Sequence, residues 1–360
     1  MKTNSALHVQ PAIPQPEPVS PYLQFKRKKR LSADAYIEGI LAGNRVVLSQ
    51  AITLIESTAH QDIETANQII EQCLPYSGNS IRIGITGVPG VGKSTFIEAF
   101  GKYLTSMGKN LAVLAVDPSS ELSKGSILGD KTRMEELAID PNAFIRPSPS
   151  GATLGGVART TRETTILCEA AGFDAIIIET VGVGQSETMV KSMVDFFLLL
   201  MLSGAGDELQ GIKRGIMEMA DALIITKADG DNVAKATAAK ALYQSALHLF
   251  PKNENGWEPP VGTCSVYHKD SIEKIWQLIS DFEKATKENG FFFKHRTEQS
   301  VKTFFDWMNH LLKEHFYSNA VMESNISALI PEIRAGKSSP YQAGSKLIQD
   351  YLQLTSTESP

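Results

Sequence analysis

Gly87-Val88-Pro89-Gly90-Val91-Gly92-Lys93-Ser94-Thr95 fits the pattern G-x-x-x-x-G-K-[ST] at every fixed position, and it follows an apolar, strand-like run, Ile81–Thr86. A strand that ends in a glycine-rich turn and feeds a helix leaves backbone N–H groups and a positive helix end pointing at one place. That arrangement suits phosphate oxygens. The apolar positions after the turn, Phe96, Phe100, Tyr103 and Leu104, recur at helical spacing, as the pattern requires. The stretch therefore predicts a bound nucleoside triphosphate. Gly87, Val88, Pro89, Gly90, Val91 and Gly92 would form the cradle with Thr95 closing the motif, Lys93 would reach the outer phosphates, and Ser94 would ligate magnesium.

Outward from this loop, short apolar runs alternate with amphipathic segments: Ile81–Thr86, Leu111–Val116, Ala143–Arg146, Ala175–Glu179, Phe196–Leu202, Ala222–Thr226 and Val261–Cys264. Near-continuous apolar runs belong to strands covered on both faces. The expected fold is α/β, a P-loop NTPase with a mostly parallel, doubly covered sheet between N-terminal and C-terminal helical extensions. Residues 1–31 read as a disordered tail, with Pro11, Pro14, Pro16, Pro18 and Pro21 preventing a helix and the basic run Lys26-Arg27-Lys28-Lys29-Arg30 behind them. A solvated lead-in to a helix is the simpler reading of that run, since no aromatic platform for bases surrounds it. Residues 32–78 read as a small helical subdomain entered at Ser32, 79–280 as the nucleotide domain, and 281–360 as a helical region that either packs on the same domain or serves dimerisation.

Composition narrows the class. Hydrophobic content of 42% and charged content of 21% are ordinary for a soluble globular chain, and 360 residues leave room for one large domain with extensions. A net charge of −5 argues against a broad nucleic-acid surface. The longest apolar run, Phe196 to Leu202, is far below the ~20 residues of a spanning helix, so no membrane span is expected. Cys73, Cys168 and Cys264 form neither a disulfide framework nor a C-x-x-C pair, and no secretory signal is evident at the N-terminus; a cytoplasmic setting follows.

In a parallel sheet the chemistry gathers at the carboxyl ends of the strands. Thr226-Lys227-Ala228-Asp229 matches [NT]-K-x-D: Asp229 would accept from the guanine N1–H and exocyclic amine, with the Lys227 stem along the base. Adenine offers no such donor pair, so the contact that holds GTP or GDP would reject ATP. Cys264-Ser265-Val266 is placed to support the base from the other side. Glu179, in Glu179-Thr180-Val181-Gly182, and Asp117, in Val116-Asp117-Pro118-Ser119-Ser120, are the acids expected near Mg2+ and the γ-phosphate, although Asp117 also makes good turn chemistry. Asp130 is a candidate for the water or metal shell, and Gln185 a catalytic candidate within the loop Gly182–Glu187. That loop and Gly204–Arg214 are glycine-rich and polar, and read as switches whose backbone responds to γ-phosphate loss.

Taken together, G-V-P-G-V-G-K-S-T, V-D-P-S-S, G-S-I-L-G-D-K-T-R-M, E-T-V-G-V-G-Q-S-E, G-D-E-L-Q-G-I-K-R-G-I-M-E and T-K-A-D resemble the ArgK/MeaB family of P-loop GTPases. The resemblance runs from roughly Leu31 to Leu352 and includes E-G-I-L-A-G-N-R near the start. It implies a GTPase homodimer that serves adenosylcobalamin-dependent acyl-CoA mutases, chiefly methylmalonyl-CoA mutase, by gating cofactor loading and protecting or reactivating the mutase. It also implies that Lys93, Ser94 and Thr95 hold phosphates and magnesium, that Asp117 and Glu179 belong to the magnesium and water shell, and that Asp229 reads guanine. The Asp207–Arg214 loop matches an extra switch that reports nucleotide state. Cys264-Ser265-Val266 departs from the family's more frequent Thr-Ser-Ala.

Two other classes compete. An amino-acid transport-associated ATPase or kinase would need a substrate pocket or transporter surface that no motif supplies. A metal-delivery GTPase would need the C-x-x-C pair or His-rich tract that the sequence lacks.

Overall fold

The computed structural model describes residues 30–57, 59–116, 134–147, 154–180, 186–204, 214–251 and 253–357. Seven strands, β1 (Ile81–Gly87), β2 (Leu111–Val116), β3 (Ala143–Arg146), β4 (Ala175–Thr180), β5 (Phe196–Met201), β6 (Ala222–Ile225) and β7 (Val261–Thr263), form one sheet in the order β3-β2-β4-β1-β5-β6-β7. Every pairing is parallel. The strands lie where the apolar runs predict them, and the differences are single residues at the carboxyl ends: β1 and β4 run one residue longer, and β5, β6 and β7 stop one residue sooner.

The alternation of side chains explains the layers. Ile81, Ile83 and Ile85 of β1, with Phe196, Leu198 and Leu200 of β5, face one core completed by α4 (Lys93–Ser106) and α10 (Lys269–Glu288). Their partners on the opposite face, Ala112, Leu114, Ile176, Ile178 and Phe197, join a second core. That core is closed by α6 (Leu154–Ala170) and by the N-terminal helices α1 (Ala33–Leu41), α2 (Arg45–Ile55) and α3 (His60–Cys73). Leu199, Met201, Leu223 and Ile225 face a third cluster with α9 (Val233–Leu247), and α5 (Glu135–Ala138), α7 (Ser186–Lys191) and α8 (Arg214–Met219) complete the crossovers.

The first N-terminal helix begins as the sequence predicts, at Ser32. The Ser32 hydroxyl accepts from Ala35 N–H at 3.3 Å, and Asn44 caps α2 through the N–H groups of Val46 and Val47. Arg30, the last residue of the basic run, pairs with buried Asp62 of α3. The other four basic residues and the proline-rich tail lie outside the described residues.

Beyond the sheet, α11 (Phe291–Tyr317) is a 27-residue helix followed by α12 (Ala320–Arg334) and α13 (Pro340–Thr357). Its base is tied to the core: Arg296 grips Asp195 with Nε at 2.7 Å and Nη2 at 2.6 Å. Further along, Phe304, Phe305 and Leu312 remain more than half exposed. Among the described residues no helix is long and apolar enough to cross a membrane.

Candidate nucleotide site

β1 lies at the centre of the sheet between β4 and β5, so its carboxyl end opens into the crevice where parallel sheets bind ligands. The turn that follows depends on two glycines for different reasons. A Cβ on Gly87 would lie 2.5 Å from the Leu200 carbonyl oxygen of β5, so only glycine lets the strand end this close to its neighbour. Gly92, at φ 92°, enters α4 through the left-handed region. α4 begins at Lys93, directing its N-terminal N–H groups and its positive end into the loop.

Lys93 folds back over this loop, its Nζ donating to Gly87 O at 2.8 Å. The ammonium is thereby held above the cradle. Ser94, one residue on, turns its hydroxyl to Glu179 Oε1 at 3.4 Å. Glu179 sits at the end of β4, buried to 4% exposure, and the β1 and β4 ends are pinned together by a buried hydrogen bond from Thr180 Oγ1 to Thr86 Oγ1 at 2.8 Å. A hydroxyl and a buried carboxylate thus converge at the cradle's edge, two hard oxygen donors of the kind a magnesium ion takes.

From the other side, the loop after β6 closes on the same turn. Thr226 Oγ1 donates to Val91 O at 2.8 Å and lies 3.3 Å from Met201 O, while Lys227 Nζ donates to Gly90 O at 2.9 Å. Two of the four residues of T-K-A-D are therefore bonded directly to the phosphate-binding loop, more than 130 positions away in sequence. Asp229 Oδ2 accepts from Ser265 Oγ at 2.8 Å, and Ala228 N–H donates to Cys264 O at 3.0 Å, which brings the loop after β7 into the same wall. Burial pushes the Cys264 thiol up to about 12, so it contributes packing and a backbone carbonyl rather than a reactive sulfur. Val266 packs against the core behind this wall.

Lys227 carries φ 56°, the one positive value among the described non-glycine residues. For an L-residue that conformation costs about 1–2 kcal/mol. Its carbonyl accepts from Asn232 Nδ2 at 2.6 Å, and Asn232 Oδ1 in turn accepts from Ser203 Oγ at 2.6 Å. Neither Asn232 nor Ser203 belongs to a motif, so pattern reading passes over both; Gly-Asp-Asn after T-K-A-D was the available signal.

The structure thus brings Gly87–Thr95, Glu179, Thr226–Asp229 and Cys264–Val266 to one crevice. Asp117, Asp130 and Gln185 lie outside the described residues, as do 182–185 and 205–213 of the two expected switch loops.

Residues 48–321 match the model of the family described as methylmalonyl-CoA mutase-associated GTPase MeaB. The chain belongs to the MeaB family. It is a GTPase, binding guanine nucleotide on the P-loop fold described above. Among MeaB relatives, GTPase ArgK of Escherichia coli is 44% identical over 321 residues, spanning 88% of this chain and 96% of that protein. The mitochondrial methylmalonic aciduria type A homolog of Mus musculus is 43% identical over 339 residues, 90% of this chain and 80% of its own. A crystal structure described as a LAO/AO transport system kinase superposes with a TM-score of 0.72 at 38% identity, covering 89% of this chain and 97% of that one.

Proposed function

We propose that this GTPase is a nucleotide-state sensor for an adenosylcobalamin-dependent acyl-CoA mutase, methylmalonyl-CoA mutase, gating cofactor loading and protecting or reactivating the enzyme. The observation that carries this reading is the match of residues 48–321 to a family described by its association with that mutase. The crevice adds support of a physical kind: phosphate loop and base-reading segment are bonded to one another, so one ligand spans both.

In this reading the N–H groups of the Gly87–Thr95 turn cradle the phosphates, and Lys93, held over the turn, places its charge on the outer ones. Ser94 and Glu179 hold Mg2+, with Asp117 as the further acid. The ion, when bound, neutralises charge developing between the β- and γ-phosphates. Asp130 and Gln185 order the attacking water, which takes the γ-phosphoryl group and leaves GDP and phosphate. Asp229 accepts the two guanine N–H groups, while the stem of Lys227 lies against the base. Loss of the γ-phosphate is then reported through Gly182–Glu187 and Asp207–Arg214.

The exposed apolar side chains of α11 suit a second copy of this chain, giving a homodimer built by the C-terminal helices. Transfer of adenosylcobalamin to apo-mutase, followed by the visible spectrum, tests the gating role: transfer should depend on whether GTP or GDP is bound. Transfer at one rate with GTP, with GDP and without the GTPase would refute it.

A further inference from the structure

The geometry points to Asn232 as a positioning residue for guanine-nucleotide binding, one that acts by holding Lys227 in its left-handed backbone conformation and is itself oriented by Ser203. The inference rests on the proposal that Lys227 and Asp229 contact the base. Lys227 is exposed, so packing does not hold it at φ 56°. What does is a pair of bonds at opposite ends of the residue: the carbonyl accepts from Asn232 Nδ2 at 2.6 Å, and the ammonium donates to Gly90 O at 2.9 Å. Rotation of φ to the ordinary negative region would move one end away from its partner and swing the stem off the cradle.

Asn232 occupies the N-cap position of α9, where asparagine normally bonds the first helical N–H groups. Its side chain makes no such bond. Both ends of the amide are instead committed elsewhere: Nδ2 to Lys227 O, and Oδ1 to Ser203 Oγ at 2.6 Å. The Lys227 carbonyl can only accept, so it takes the Nδ2 end of the amide, and the Ser203 hydroxyl, by donating to the Oδ1 end left over, holds the side chain in that position. Ser203 lies just beyond β5 and immediately before the Gly204–Arg214 stretch, while its partner stands three residues after Asp229. The half-buried pair therefore links the end of the strand that neighbours β1 to the segment that reads the base.

The experiment is a double-mutant cycle on the full chain, reading the dissociation rate of a fluorescent GDP analogue by stopped flow. Asn232→Ala should accelerate release about tenfold, equivalent to about 1.4 kcal/mol, and Ser203→Ala should do so by less. In the Lys227→Gly background, where glycine adopts positive φ without support, Asn232→Ala should add almost nothing. An equal acceleration in both backgrounds would show that Asn232 acts on the start of α9 rather than through Lys227, and would overturn the inference. So would no acceleration in the parent background. Asp229→Ala separates the two claims: unchanged affinity there refutes base reading itself, whereas lost affinity with an additive cycle refutes only the role of Asn232.

Discussion

At the scale of single residues, the crevice makes two side chains individually testable. Asp229 is fixed by the Ser265 hydroxyl with its carboxylate at the wall formed by the loops after β6 and β7. Removing an acceptor from two buried donors of a bound base costs about 1–3 kcal/mol, so Asp229→Ala should weaken GDP about 10–100-fold and narrow the preference for GTP over ATP; isothermal titration with each nucleotide reads both. Glu179→Gln keeps the volume at the end of β4 while removing the charge facing Ser94. It should lower magnesium-dependent hydrolysis about 10–100-fold with GDP affinity nearly kept, measured as the magnesium concentration for half-maximal rate. Lys93, Thr226, Lys227 and Asp229, which the fold brings to one crevice, stand out in the sequence because the phosphate-binding and base-reading patterns fix residue types at fixed local spacing. Ser203 and Asn232 do not, since an asparagine three residues past a motif has many uses and only the fold shows which atoms its amide meets.

At the scale of elements, the ends of β1 do different work. Its carboxyl end makes the cradle, and its amino end is held by a buried charge cluster. Glu169 of α6 accepts from Gly78 N–H, Ser80 Oγ and the Arg82 guanidinium at 2.6–2.9 Å, and Asp195 accepts from Arg82 N–H and is gripped by Arg296 of α11. Burial by itself favours the neutral acid at Glu169, but the bonds and charge of Arg82, the Ser80 hydroxyl and the charge of Arg296 outweigh it and hold the carboxyl below the ordinary range. A pKa depressed on folding stabilises the protein above the unfolded value of about 4.3, and that contribution disappears as pH falls through the folded value. The thermal midpoint of the parent should therefore fall on acidification below about pH 4.3 more steeply than that of Glu169→Gln, which carries no such titration; equal slopes would count against the assignment. The strands themselves were legible because burial on both faces forces continuous apolar runs. The cluster was not, because its members at 78–82, 169, 195 and 296 are distant in sequence and each alone resembles a surface charge.

At the scale of the whole molecule, the chain is a nucleotide-binding sheet with helices on both faces and a long helix, α11, that touches the core through Arg296, Gln299 and Trp307. The sequence reads 281–360 as helical, yet periodicity cannot say what covers an apolar helix face, and Phe304, Phe305 and Leu312 remain exposed here. If the faces close on a second copy, Phe305→Asp with Leu312→Asp should shift the protein from dimer to monomer in sedimentation equilibrium while leaving the GDP affinity of each chain unchanged. A monomeric parent protein would contradict that arrangement. The sensing role of the crevice is tested most directly by the steady-state rate of GTP hydrolysis by the full chain, alone and with methylmalonyl-CoA mutase. Turnover should be slow alone and rise clearly with the mutase, with negligible ATP hydrolysis in both cases. An unchanged rate together with no detectable complex would contradict the sensing role.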